Sequence, residues 1–329
     1  MEEMELQSFQ TRTDFSALHE IINAIRAEIG KVIVGQHGMV DLLITGLLSE
    51  GHILIEGVPG VAKTLASKLL AQCVDAQFAR IQFTPDLMPA DVLGTAVFNP
   101  NSREFEYKKG PVFANIVLTD EINRAPAKTQ AALFEVMEEQ QITNDGITYK
   151  LDGPFMVIAT QNPIEQEGTY RLPEAQLDRF LFKIIVHYPT AAEEVTMLQL
   201  AHQQHRKGGS ALSAAKIVSG AQIKAFQEQI RSVVVEDKLL HYISDIIQAT
   251  RLNASLFMGA SPRASLAVMN CAKTVAAMAN RDFVTPDDIR YIAPHILRHR
   301  IILTPEREME GISTDEVIQD ILKNVEVPR

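Results

Sequence analysis

The sequence is poor in cysteine, and this shortage excludes a protein held together by disulfides or built around a cysteine-rich zinc site. Among its 329 residues are two cysteines, Cys73 and Cys271, which stand far apart in helical-looking contexts. Neither belongs to a spacing typical of a metal site. We therefore expect both to be buried thiols in a protein of a reducing compartment.

Positive charge and long apolar runs are also scarce. Lysine and arginine number 31 against 41 acidic residues, giving a net charge of −10, and no long basic run is present. This balance opposes unspecific attraction to nucleic acid or anionic lipid, although a local basic groove could still exist. No apolar stretch approaches the ~20 residues of a membrane span, and the first residues, M-E-E-M-E-L-Q, do not resemble a signal peptide. We expect a cytoplasmic protein.

One stretch dominates the sequence, H-I-L-I-E-G-V-P-G-V-A-K-T at residues 52–64. Its apolar run, Ile53 to Ile55, is typical of a buried parallel strand. From Gly57 to Thr64 the residues fit the phosphate-binding pattern G-x-x-x-x-G-K-[ST], except that Ala62 replaces the glycine before the lysine. Because the chain is already entering a helix there, we expect Ala62 to adopt right-handed helical angles, which alanine tolerates.

Such a loop binds the phosphates of a nucleotide. Its backbone N–H groups surround them, its lysine reaches the outer two, and its hydroxyl binds magnesium. Lys63 and Thr64 are the candidates for the last two roles. The competing interpretation is a plain turn before a surface helix. The predicted nucleotide-binding residues of this loop are Gly57, Val58, Pro59, Gly60, Val61, Ala62, Lys63, Thr64 and Leu65.

Polar side chains stand at the ends of two further apolar strands. The run N-I-V-L-T-D-E-I-N, residues 115–123, places Asp120 and Glu121 at one strand end, and the run from Phe155 ends near Asn162. The carboxyl ends of parallel strands meet at one edge, so both carboxylates should converge on Lys63. Adjacent buried carboxylates repel, and Mg²⁺ is their natural neutraliser. The alternative is a strand that ends in two solvated acids.

The remaining pattern predicts an α/β fold with five strands and a second, helical domain. Two hairpins are predicted within the first domain, at residues 97–107 and 141–149, from an N-P-N-S turn and an Asp-Gly pair. After Thr190 the apolar spacing is helical throughout. The predicted domains are residues 1–189 and 190–329.

A histidine pair in the second domain, His295 and His299, has the i, i+4 spacing of a helical metal site. No glutamate or cysteine accompanies the pair. We therefore expect both to be solvated surface histidines.

Five motifs together resemble the MoxR family of AAA+ ATPases, in which alanine before the loop lysine is usual. They are G-V-P-G-V-A-K-T, T-D-E-I-N-R-A, A-T-Q-N-P-I-E-Q-E-G-T-Y, L-P-E-A-Q-L-D-R-F and G-A-S-P-R-A. The resemblance covers nearly the whole chain. It implies a P-loop AAA+ core with a five-stranded parallel sheet, an all-helical C-terminal lid, and hydrolysis of ATP with Mg²⁺.

The resemblance also implies a role for each matching residue. Glu121 would polarise the attacking water, and Asp120 would help Thr64 to hold Mg²⁺. Asn162 would be the sensor on the fourth strand of the sheet. Val34 and Gly35 match the stretch that lines the adenine.

Two arginines match residues that act between subunits or on the lid. Arg179 matches the arginine finger, which reaches a neighbouring subunit's γ-phosphate, and Arg263 matches the second sensor. These roles imply a ring, expected to be a homo-hexamer, because Arg179 at the far side of its sheet cannot easily reach its own phosphate. The alternative is that Arg179 caps a helix or pairs with Asp178.

Three functions fit this resemblance. The first is a chaperone-like ring that remodels a protein client, often with a von Willebrand factor A domain partner or during metalloenzyme maturation. The second is a nucleic-acid motor, which the acidic balance and the acidic tip at Asp145 disfavour. The third is the ATPase subunit of a magnesium chelatase, against which Ala62 favours MoxR. The aromatic hairpin residues Phe98, Phe105, Tyr107 and Tyr149 are either protein anchors or packed under their own hairpins.

Overall fold

The computed structural model describes residues 13–144, 146–162, 170, 172–206 and 213–328. The chain begins with α1 (Ser16–Gly30) and α2 (His37–Leu48). Helix α1 buries one apolar face, which consists of Leu18, Ile22, Ile25 and Ile29. No helix among the described residues has the length and apolar character needed to cross a membrane.

A central sheet and two hairpins follow. The elements are β1 (Ile53–Gly57), α3 (Lys63–Cys73), β2 (Phe78–Gln82), α4 (Pro89–Leu93), β3 (Gly94–Asn99), β4 (Glu104–Lys109), β5 (Ile116–Asp120), α5 (Ala127–Glu139), β6 (Gln141–Asn144), β7 (Ile147–Lys150), β8 (Met156–Gln161), α6 (Glu174–Leu177) and β9 (Phe182–Val186). The sheet has the order β2-β5-β8-β1-β9, and every neighbouring pair is parallel. The predicted five-stranded α/β fold is confirmed.

The strand register brings polar strand ends to one edge of the sheet. Gln82 on β2 pairs with Asp120 on β5, and Glu56 on β1 pairs with Gln161 on β8. The interior of β5 is fully buried because helices cover both faces of the sheet. The charged residue of β5, Asp120, therefore lies at this carboxyl edge.

Both predicted hairpins are present. In the first, β3 and β4 pair antiparallel, and in the second, β6 pairs with β7. Tyr107 of the first hairpin stacks on Tyr149 of the second, with ring centroids 4.7 Å apart and planes inclined by 24°. The Tyr107 hydroxyl donates a hydrogen bond to the Leu93 carbonyl at 2.7 Å. This tyrosine stack joins the two hairpins, whereas the tip residue Asp145 lies outside the described residues.

The C-terminal part is a helical lid. Its elements are α7 (Ala191–Arg206), α8 (Gly220–Arg231), α9 (Asp237–Leu252), β10 (Leu256–Met258), α10 (Pro262–Met278), α11 (Pro286–Leu297), β11 (Ile302–Leu303), α12 (Pro305–Met309) and α13 (Thr314–Asn324). The segments T-P-D-D-I and S-T-D-E-V begin α11 and α13 with capping boxes. One feature departs from the expected all-helical pattern, because β10 and β11 form a short antiparallel ladder. Strands of three and two residues are too short to show a period of two.

The lid rests on the two N-terminal helices. His19 of α1 bonds to the Met278 carbonyl of α10 at 2.8 Å through its Nδ1, and Gln227 of α8 donates to the Leu47 carbonyl at 2.7 Å. Apolar side chains of α1, α2 and the sheet share one continuous buried core with the lid helices. The boundary at residues 189 and 190 stays a prediction from sequence.

The expectation of solvated surface histidines at the end of α11 is wrong. His299 is buried, and its Nε2 bonds to the Phe180 carbonyl at 2.9 Å. Burial holds the pKa of His299 well below its usual range and lowers that of His295 to about 4. Both therefore stay neutral near pH 7, His299 because it packs on the turn before β9 and His295 because it is half-buried. Cys73 and Cys271 are buried as predicted, and burial raises their thiol pKa values to about 11 and about 12.

Candidate nucleotide-binding site

The glycine-rich loop connects β1 to α3 and wraps around its own lysine. A Cβ on Gly57 would lie 2.8 Å from the Val186 carbonyl oxygen of β9, so only glycine fits beside that strand. Lys63 is the first residue of α3, and its Nζ donates to the Gly57 carbonyl at 2.5 Å. The ammonium group thus lies across the loop that the sequence predicted would bind phosphates.

Ala62 adopts left-handed backbone angles, with φ 61° and ψ 19°. The expectation of right-handed helical angles at this position is wrong. The chain must reverse direction in the residue immediately before α3, and a left-handed residue makes that turn. Such angles cost a residue with a Cβ about 1–2 kcal/mol, so Ala62 adopts them at a modest cost that the glycine of the pattern would not carry.

We expect Ala62→Val to weaken ATP binding about tenfold, because a β-branched side chain strongly resists left-handed angles. Ala62→Gly should retain binding, since glycine adopts these angles freely. Titration with a fluorescent ATP analogue measures both, and thermal melting of each variant serves as the folding control. Equal affinities for the valine and glycine variants would show that the left-handed turn is not needed for binding.

The candidate site residues meet in a polar cavity of about 380 Å³ beside this loop. Its lining residues are Pro59, Gly60, Ala62, Lys63, Thr64, Leu65, Arg80, Gln82, Asp120, Glu121, Thr160 and Asn162. Arg80, Gln82 and Thr160 were missed from sequence. Arg80 and Gln82 lie two apart at the end of β2 and so share one face of the strand, a spacing that could have identified them. Residues 163–169, which continue the motif after Asn162, lie outside the described residues.

Thr160 on β8 holds Asp120 and the residue after it in place. Its hydroxyl donates to Asp120 Oδ1 at 3.1 Å and accepts from the Glu121 backbone N–H at 3.1 Å. The other oxygen of Asp120, Oδ2, lies 2.6 Å from Arg80 Nε. The Asp120 carboxylate therefore faces the cavity with its charge balanced by a guanidinium group.

Glu121 projects from a strained turn. Its backbone has φ 58°, a left-handed value that carries the chain sharply away from the end of β5. Its Oε2 accepts from Gln82 Nε2 at 3.0 Å and lies 2.9 Å from Arg124 Nε. Non-glycine residues with strained backbone angles occur preferentially at functional sites, and the surrounding structure must hold them in that conformation.

The electrostatics of Lys63 reflect this acidic surrounding. Burial lowers the pKa of its ammonium group, and the nearby carboxylates of Asp120, Glu121 and Glu56 act in the opposite direction. The cavity therefore contains a partly desolvated positive charge next to carboxylates. A phosphate group bound there would gain a strong charge-assisted contact with Lys63.

The donor set fits Mg²⁺ held together with a phosphate. Thr64 and Asp120 both line the cavity and carry side-chain oxygens that could bind the ion. Within the described part of the chain, no three acidic, histidine or cysteine side chains form a ready metal cage. Mg²⁺ is commonly bound by one or two carboxylates and completed by substrate phosphates, which is the arrangement these residues could supply.

An apolar cavity of about 210 Å³ adjoins the polar one. It is lined by Val32, Ile33, Val34, Gln36, Gly60, Val61, Ala62, Leu65, Pro189, Met197, Leu200 and Ala201. Val34, which resemblance places beside the adenine, is in this lining. Its neighbour Gly35 has φ 77°, and a Cβ there would collide with the Glu193 carboxylate. The lining residues of α7 were missed, because a lid helix carries no local signal for a ligand.

Arg179 and Arg263 lie together but line neither cavity. Arg179 Nη2 is 2.8 Å from Glu138 Oε2, and Arg263 Nη2 is 3.8 Å from the other oxygen of the same carboxylate. The open alternative that Arg179 pairs with Asp178 is not what the structure shows. Asp178 instead lies 3.8 Å from Arg263 Nη1. The two arginines thus share one carboxylate, that of Glu138, outside the polar cavity of their own chain.

The family models and the known relatives agree with this geometry. A model of the ATPase family associated with various cellular activities (AAA) matches residues 52–182, and an AAA lid domain matches residues 248–321. The crystal structure of a putative ATPase from Cytophaga hutchinsonii, determined at 2.00 Å resolution, superposes with a TM-score of 0.89. It is 44% identical and covers 96% of this chain and 97% of its own.

Two curated proteins match over almost the full length. The uncharacterized protein YeaC of Bacillus subtilis is 45% identical over 94% of this chain and 96% of its own length. The protein named Chaperone MoxR1 from Mycobacterium tuberculosis is 44% identical over 95% of this chain and 83% of its own. The fold, the glycine-rich loop, the lid and these relatives together show that the chain belongs to the MoxR family of AAA+ ATPases.

Proposed function

We propose that this protein binds ATP with Mg²⁺ and hydrolyses it to ADP and phosphate to remodel a protein client. The observation that carries the proposal is the pair of adjoining cavities, which share Gly60, Ala62 and Leu65 of the glycine-rich loop. The apolar cavity suits an adenine ring, and the polar one suits phosphates. A nucleotide laid along the loop would fill both.

The residues of the polar cavity divide the chemistry between them. Lys63 would bind the outer phosphates, while Thr64 and Asp120 would hold Mg²⁺, which neutralises phosphate charge when bound. In the structure, the Asp120 carboxylate is paired with Arg80. Glu121 would polarise the attacking water, and Asn162, whose side chain is buried at the same edge, would orient it.

The position of the two arginines supports a ring. Arg179 and Arg263 share the Glu138 carboxylate and line neither cavity of their own chain. Their guanidinium groups can contribute to hydrolysis if a neighbouring subunit presents its ATP to them. We therefore propose a homo-hexamer in which both arginines act on the adjacent subunit's γ-phosphate.

The hairpins offer a surface for the client. Phe98 and Phe105 lie opposite each other on β3 and β4, are 50% and 72% exposed, and make an edge-to-face contact at 5.4 Å. Tyr107 and Tyr149 are occupied with each other in the tyrosine stack. Exposed aromatics are typical anchors for proteins. We propose that the protein is cytoplasmic, with a von Willebrand factor A domain protein as partner and metalloenzyme maturation as the process.

The proposed binding of ATP by the glycine-rich loop predicts that Lys63→Ala weakens the affinity for ATP. We expect ATP affinity to fall roughly 30-fold or more, because a buried charge contact to the phosphates is worth about 2 kcal/mol or more. Lys68→Ala, at an exposed position of the same helix, is the matched control and should bind as the wild type does. Titration with a fluorescent ATP analogue decides the matter. Unchanged affinity in Lys63→Ala would refute the assignment of the loop.

The client half predicts that ATP turnover responds to a von Willebrand factor A domain protein and is indifferent to DNA. Glu104 and Glu106 lie among the basic residues of the first hairpin, so its charge would repel a phosphate backbone as often as attract it. Turnover is measured with the partner, with single-stranded DNA and with double-stranded DNA at low salt. Stimulation by DNA that fades as salt rises would favour the nucleic-acid motor, because counterion release marks phosphate contacts. A response restricted to chelatase partners would favour the magnesium chelatase function.

A further inference from the structure

A buried arginine of the lid is bonded to the turn that carries Arg179. Arg300 follows α11 and is 7% exposed. Its Nε donates to Asp178 Oδ1 at 2.7 Å, and its Nη2 donates to the backbone carbonyls of Asp178 and Phe180 at 3.2 and 2.7 Å. Its Nη1 donates to the Leu181 carbonyl at 3.0 Å. Nη1 also donates to the Ile296 carbonyl of α11 at 2.7 Å. The other three carbonyls bonded by this guanidinium belong to residues on both sides of Arg179.

The neighbours of Arg300 reinforce the attachment. His299 Nε2 bonds to the Phe180 carbonyl at 2.9 Å, and Arg298 Nη1 donates to the Lys183 carbonyl at 3.0 Å. Three consecutive lid residues are therefore bonded to the backbone between Asp178 and Lys183, which leads from α6 into β9. A planar guanidinium with five N–H groups can satisfy several carbonyls at once, which lysine cannot do.

The same cluster includes the turn that carries the second arginine. Asp178, the acidic partner of Arg300, accepts a hydrogen bond from Ser261 Oγ at 3.3 Å and lies 3.8 Å from Arg263 Nη1. Ser261 immediately precedes α10, the helix on which Arg263 stands. The backbone around Arg179 and the first turn of α10 are thus connected through one carboxylate and one buried guanidinium.

We propose that Arg300 is a positioning residue for hydrolysis on the neighbouring subunit. It fixes the Arg179 turn to the lid, so that Arg179 and Arg263 are presented together and move with the lid. This inference rests on the proposed function, in which Arg179 acts on an adjacent subunit's ATP. Arg300 itself contacts no phosphate, since it is buried on its own turn and lines neither cavity.

Arg300→Lys tests the proposal. Lysine retains the charge opposite Asp178 but cannot span the three carbonyls, so the Arg179 turn loses its fixed position. We expect kcat for ATP hydrolysis to fall about 100-fold, as a displacement of about 1 Å in a catalytic group can cause. The KM for ATP should stay near its wild-type value, because the chain's own cavity is intact.

Arg281→Lys is the matched control. Arg281 also bonds an acidic partner with two nitrogens, to Asp288 at 2.8 and 2.6 Å. Its hydrogen bonds go to Phe283, Thr285 and Asp288, all within the lid. Replacing any lid arginine that bonds several groups could lower kcat simply by loosening the lid. In that case Arg281→Lys would lose as much activity as Arg300→Lys does. Equal losses would overturn the proposal.

Mixing experiments give a readout that a general structural role would not affect. Arg300→Lys protein mixed with Glu121→Gln protein should recover activity, because some interfaces pair an intact Glu121 with a correctly held Arg179. Arg300→Lys protein mixed with Arg179→Ala protein should show no recovery of activity, because no interface then has a correctly held Arg179. Should Arg300→Lys fail to bind ATP or to fold, Asp178→Asn, which keeps the shape of the acidic partner, should show the same pattern with a smaller loss.

The outcomes separate this inference from the function on which it depends. Recovery by Arg179→Ala with Glu121→Gln, but not by Arg300→Lys or Asp178→Asn with Glu121→Gln, would overturn the positioning role alone. Failure of the Arg179→Ala mixture as well would refute action between subunits, and the positioning role with it.

Discussion

Arg179→Ala is expected to lower kcat for ATP hydrolysis by about 10³-fold or more, the contribution usual for an arginine finger. The dissociation constant for ATP should change little, because Arg179 lies on Glu138 and lines neither cavity of its own chain. Steady-state hydrolysis gives the first quantity, and titration with a fluorescent ATP analogue gives the second. Arg231→Ala is the control, since this exposed arginine also pairs with a carboxylate, that of Glu50 at 2.8 Å.

Mixing identifies where Arg179 acts. In rings that combine Arg179→Ala with Glu121→Gln subunits, some interfaces join an intact Glu121 to an intact Arg179 from different chains. These interfaces should restore part of the activity that each variant lacks alone. Absence of recovery in mixtures shown to exchange subunits would mean that Arg179 works within its own chain or only supports the fold.

Glu121→Gln is expected to lower turnover by about 10²- to 10⁴-fold while ATP still binds, because the amide keeps the shape of the side chain and removes the base. The contact with Gln82 Nε2, now 3.0 Å from Glu121 Oε2, can persist through the amide oxygen. Glu135→Gln, at an exposed position of α5, controls for the loss of one negative charge. ATP binding and single-turnover hydrolysis are measured on both.

Turnover that survives in Glu121→Gln would remove Glu121 from its role and point to another acceptor for the water's proton. Turnover lost equally in Glu135→Gln would instead indicate a general charge effect. The combination of retained binding, lost turnover and an active control supports the proposed division of roles.

The sheet and its catalytic edge could be predicted because both depend on local pattern. A strand covered on both faces shows as an apolar run, and a polar residue at its end marks the edge where ligands bind. Asp120, Glu121 and Asn162 all follow this rule, and the structure places them in one cavity with Lys63. The roles of these residues stay predictions.

The parts that could not be predicted depend on backbone angles and on contacts distant in sequence. The left-handed angles of Ala62 follow from how the loop meets α3, which residue spacing does not reveal. His299 carries polar atoms and stands at the end of a helix, so composition favours exposure. It is buried because Phe180, 119 residues earlier, supplies a carbonyl partner. Arg300 is hidden in the same way, since its partners surround Arg179 in the other domain.

The tyrosine stack couples the two hairpins mechanically. Tyr107 stands on β4, which leads into β5, and Tyr149 stands on β7, which leads into β8. Those two strands are neighbours in the sheet, each is only five or six residues long, and their far ends carry Asp120 and Thr160. A force applied to either hairpin is therefore transmitted to the sheet through the adjacent strands β5 and β8. The Thr160–Asp120 hydrogen bond connects the far ends of these two strands. Pulling on a client would therefore load Asp120, the carboxylate proposed above to bind Mg²⁺.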